Sequence, residues 1–132
     1  FIRGLLFRLL SERSWGGYEG KARLIVKEIS DPTPYMDQVV ERFARPQKEI
    51  LQGIVGEILA PHLDPLRVRA CCLSVVAQCL HYAYAKPVID RLLPGVGSRD
   101  EDIALLAAHI TEFSLGGLAR VREQAAAKRG RS

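Results

Sequence analysis

Two short stretches of this 132-residue chain place reactive side chains near one another. His109 and Glu112 stand three apart, so a helix would carry both on one face. A carboxylate-bridged metal bundle needs such a pair twice with further glutamates, and no second pair is present. Cys79 and His81 stand two apart, a spacing that points them away from each other on a helix. Gly95-Val96-Gly97 is loop chemistry without the Lys-Ser or Lys-Thr that a phosphate-binding loop requires. No Ser/His/Asp triad has a motif around it. The sequence does not read as an enzyme, and neither metal nor cofactor is expected.

Binding is the better-supported chemistry. In the stretch 64–85, Arg67 and Arg69 are followed by sixteen residues without a charge, 70–85. Gln78 and His81 lie inside that apolar run, where a polar side chain needs a partner in a ligand or across an interface. A pocket also needs aromatic walls and a few more amides, for which Trp15, Tyr18, Phe43, Gln47, Tyr82 and Phe113 are the candidates. Core packing is the competing reading for each of them.

These residues must be positioned by helices. Ile2, Leu5, Leu6, Leu9 and Leu10 share one face of a first helix over 1–13, and its opening in helical register without Met suggests a chain cut from a longer one. A second helix reads from about 19 to 30, with Ala22, Ile25, Val26 and Ile29 inward. Thr33 with Pro34 starts a long third helix to Leu59. Pro46 falls in its middle and predicts a bend that leaves room beside it. Asp64 with Pro65 caps the apolar helix, and a short amphipathic segment carries Val88, Ile89, Leu92 and Leu93. Ser98 with Glu101 reads as a capping box for a last helix to about Lys128.

Both long C-terminal helices are apolar on more than one side, which a single stripe against one core does not require. Adjacent Gly116 and Gly117 inside the last helix cost about 1 kcal/mol each, offset by close approach of another helix. The expectation is a homodimer joined through a four-helix bundle, with Val75, Cys79, Ile103, Leu106, Ala107, Ile110, Ser114, Leu115, Gly117 and Leu118 at the interface.

Bulk properties narrow the setting. Hydrophobic residues make up 48% of the chain and charged residues 26%, the proportions of a folded single domain. The net charge of +4 lies in the tail, where Arg120, Arg122, Lys128, Arg129 and Arg131 face only Glu123, whereas residues 1–119 hold 14 cations and 14 anions. No basic stripe interleaved with aromatics marks a nucleic-acid groove. Cys71, Cys72 and Cys79 are an odd set on one helix, expected as buried thiols in a reducing cytoplasm. Arg3 and Arg8 interrupt the N-terminal apolar run, so no signal peptide is visible, and no membrane partner is expected.

Several of these pieces together resemble the C-terminal effector-binding and dimerisation domain of TetR/AcrR-type regulators, in particular the CerR (CecR) subfamily. They are Lys27-Glu28-Ile29-Ser30-Asp31-Pro32, Pro46, the run from Ser74 to Tyr82 with Gln78, and His109-Ile110-Thr111-Glu112-Phe113-Ser114-Leu115-Gly116-Gly117-Leu118. The resemblance implies an all-α bundle of five to six helices that dimerises and admits a small hydrophobic or amphipathic effector. It also implies DNA binding only through an N-terminal helix-turn-helix domain absent from residues 1–132. In such a regulator effector and operator affinities oppose each other, with the first helix as the hinge. The alternative is a helical protein–protein interaction module without a small-molecule pocket.

Overall fold

The computed structural model describes residues 1–11, 20–59, 63–96 and 99–131. Among the described residues every regular element is helical, and six helices follow one another. They are α1 (Ile2–Leu10), α2 (Gly20–Ser30), α3, α4 (Pro65–Tyr84), α5 (Lys86–Leu92) and α6 (Asp100–Arg129). Helix α3 comprises Met36–Val39, a π-helical turn Val40–Ala44, and Arg45–Ile58.

The π turn is the local answer to Pro46. The amide of Arg45 donates to the Val40 carbonyl five residues back, and the α-helical register restarts with Pro46 in its first turn. A first-turn residue has no intrahelical partner for its N–H, so proline is tolerated there. The chain continues as a helix with one wide turn rather than breaking in two.

Helix α1 is the centre of the packing. Leu5, Leu6 and Leu9 are buried against Cys79 of α4 and Ile103, Leu106, Ala107 and Ile110 of α6. Ser11, just past the end of α1, donates from Oγ to Oδ1 of Asp100 at 3.1 Å, while Ile2 also packs on the cluster holding Leu118 and Val121. Helix α1 therefore runs antiparallel to α6. That second cluster joins Leu51, Val55 and Leu59 of α3 to Cys71, Cys72 and Val75 of α4 and Leu118 of α6.

Caps explain most helix starts. Asp64 accepts from the Leu66 amide at 3.0 Å, as the Asp-Pro pair predicts. At α6 the box differs from the expected Ser98–Glu101 pair: Asp102 accepts from the Arg99 amide at 3.1 Å, and Ser98 lies outside the described residues. Thr33 acts one turn ahead of α3, its Oγ1 accepting from the Tyr35 amide at 3.2 Å. Gly95 turns the chain between α5 and α6 with φ 91°, a conformation that glycine adopts without strain.

On α2, Ile25 and Val26 are half-buried as expected, and one expected inward residue is not. Ile29 is exposed, whereas Glu28 is buried and its carboxylate accepts from the Thr33 hydroxyl at 2.6 Å and the Thr33 amide at 3.1 Å. A carboxylate is buried here because the turn 31–34 offers it two donors.

Candidate functional site

The two glutamines singled out as candidates find partners inside the chain. Gln78 Nε2 donates to Ser114 Oγ at 3.1 Å and to the Ser74 carbonyl at 3.3 Å, tying α4 to α6. Gln47 is half-buried on α3, and its Oε1 accepts from the Arg8 guanidinium at 2.9 Å, tying α3 to α1. Phe43, in the π turn, and Tyr82 are half-buried against the cluster around Leu5 and Ile110. Phe43, Gln47 and Tyr82 thus lie against α1 or the cluster it builds, whereas Gln78 faces α6.

The remaining candidates go elsewhere. His81 faces solvent, with its ring 6.2 Å from that of Tyr82 in an edge-on arrangement. Phe113 is 67% exposed on the outer side of α6 beside the His109 ring, also at 6.2 Å. Trp15 and Tyr18 lie outside the described residues.

The expected interface set divides between the core of one chain and its surface. Val75, Cys79, Ile103, Leu106, Ala107, Ile110, Ser114 and Leu118 are all buried within one chain. Helix α1 and the end of α3 fill the very faces that helical spacing had allotted to a second copy. Leu115 and Gly117 do point outward, and a Cβ added at Gly116 or Gly117 would meet no atom within 4 Å. The outward faces instead carry Leu66, Leu73 and Tyr84 on α4 and Leu105, Phe113 and Leu115 on α6. The short α5 adds Val88 and Leu92. Spacing alone could not find this set, because apolar residues surround both long helices.

Burial shapes the thiol chemistry. Cys79 is fully enclosed, and loss of solvent pushes its pKa to about 11; burial also raises that of Cys72. Such thiols are poor nucleophiles at neutral pH. Among the described residues no group of three or more His, Cys, Asp and Glu is placed to hold a metal ion.

A groove of about 380 Å³ lies apart from all these candidates, between the start of α4 and the last turns of α6. Leu63, Asp64 and Arg67 form one wall, and Val121, Gln124, Ala125, Lys128 and Arg129 the other.

The all-helical order matches what the resemblance implied, and comparison with known families decides the point. The family described as HTH-type transcriptional dual regulator CecR, C-terminal domain, matches residues 1–118. The chain belongs to this family. Comparison with curated proteins and with solved structures returns no match. As a CecR-type C-terminal domain the chain is a transcriptional-regulator domain, and its residues take their place in that frame. Helix α6 is long and apolar enough by length and composition to cross a membrane, with a mean hydropathy of 1.2 in its most apolar window. A third of that window is buried, and there Ile103, Leu106, Ala107 and Ile110 build the core.

Proposed function

We propose that this CecR-type domain holds a homodimer and senses a small hydrophobic or amphipathic effector, coupling its binding to operator affinity through a DNA-binding domain upstream, in the cytoplasm. The observation that carries the dimer is the pair of outward apolar faces: Leu73 and Leu105 are 70% and 73% exposed on α4 and α6. A single copy leaves both in water, where a large exposed apolar patch marks an interaction surface. The open space beside Gly116 and Gly117 suits the close approach of a second helix.

For the effector, the supporting feature is the wide turn in α3. It carries Phe43 and is followed by Gln47, which is bonded to Arg8 of α1. A molecule entering beside Phe43 and Tyr82 would compete with that bond and move α1, the helix nearest the upstream domain. Differential contact of this kind is what couples two sites.

Light scattering at high micromolar concentration tests the dimer: a mass twice 14.7 kDa is expected, and a monomer overturns it. Apolar drug-like compounds should raise the melting temperature. A stable dimer that no such compound shifts would remove the sensing half and leave an interaction module.

A further inference from the structure

We infer that the groove between the start of α4 and the last turns of α6 binds a small amphipathic anion, a carboxylate or sulfonate head on a short apolar body. Its deeper, apolar lining is the half-buried Leu63, Val121 and Ala125, and its exposed lining is basic, with Arg67 on one wall and Lys128 and Arg129 on the other. A volume of about 380 Å³ is within the range of small-molecule sites.

The placement of the cations carries the inference. Lys128 and Arg129 in the last turn of α6 suit the negative end of that helix's dipole and by themselves imply nothing. Arg67 is different: it sits in the first turn of α4, at the positive end of a dipole, three residues after the Asp64 cap. The fold then sets the two groups of cations across one groove. Asp64, the acid among the lining residues, caps the Leu66 amide at 3.0 Å and still carries its charge, so the lining holds three cations against one anion. Like charges on facing walls concentrate a positive potential that an anion relieves. The apolar lining then favours a ligand that brings a hydrocarbon part with its charge.

This site is separate from the proposed effector region and does not rest on that reading. None of Phe43, Gln47, Gln78 or Tyr82 lines the groove, and its α6 wall begins at Val121, beyond residue 118 where the family match ends. The basic excess of the C-terminal residues thereby acquires a location: α6 stays helical to Arg129 and carries it to the start of α4.

Octanoate, with 1-octanol as its neutral counterpart, tests the assignment by amide NMR on the 132-residue chain. Saturable shifts are expected at residues 63–67 and 121–129, none of them produced by octanol, and weakened by high salt. Arg67→Gln should weaken binding about tenfold, the loss of one charge-assisted contact, and the double change Lys128→Gln with Arg129→Gln by more than that. All three side chains are exposed, so melting curves should stay those of the parent chain. Ala125→Leu, which fills the apolar lining and keeps every charge, should block binding as well. Absence of saturable shifts, shifts centred on Phe43 or the outward faces, or equal binding of octanol overturns the site. So does binding to phosphatidylglycerol vesicles without binding to monomeric octanoate.

Discussion

Gln78 and Ser114 hydrogen-bond to each other across α4 and α6, Nε2 to Oγ at 3.1 Å, within a single chain. One looked like a ligand contact and the other like an interface residue, and each satisfies the other's need. A double-mutant cycle with Gln78→Leu and Ser114→Ala should return a coupling of about 1 kcal/mol in urea melts. An additive cycle would mean the bond contributes nothing.

Core and surface positions on α6 should separate cleanly. Ile110 is 1% exposed, so Ile110→Ala should cost about 3 kcal/mol, measured by thermal or urea unfolding. Leu105→Glu should leave helicity intact and shift the light-scattering mass to a monomer. A dimer that tolerates Leu105→Glu and Leu73→Arg together would count against the outward faces.

Glu28 anchors the turn between α2 and α3 through its two bonds to Thr33. Glu28→Ala should destabilise the chain by about 2 kcal/mol, because two donors lose an ionised acceptor. Glu28→Gln, which keeps one acceptor oxygen, should fall between the two. Chemical denaturation of the three chains gives the order directly.

Burial raises the Cys79 thiol from an ordinary 9.0 to about 11. The folded state therefore keeps a proton that the unfolded state gives up. The resulting stability is complete below pH 9 and is lost as pH rises towards 11. Cys79→Ala should flatten the alkaline fall of the urea midpoint over that window. In the parent chain, a thiol reagent at neutral pH should reach Cys79 only as fast as the chain opens.

Much of the fold was legible because helix signals are local. The Asp64–Pro65 start, the apolar periodicity of α1 and the loop at Gly95 each depend on residues a few positions apart. Pro46 announced an irregularity, yet the form it takes, a π turn followed by a fresh first turn, depends on keeping Val39, Leu51 and Val55 all buried. Glu28 was missed because a carboxylate inside a helix ordinarily faces water, and its donors come from the turn after it.

Length, charge distribution and helix order were determined by the sequence alone, since each follows from composition and from spacing along one chain. Which side of α4 and α6 became core was decided only by tertiary structure. Apolar residues encircle both helices, so periodicity has no preferred direction there, and the choice was made by α1 inserting Leu5, Leu6 and Leu9 against one side. That insertion consumed Ile103, Leu106 and Ile110 and turned Leu73, Leu105 and Phe113 outward. The basic end of α6 meets Arg67, more than fifty residues away in the chain, only in the folded molecule.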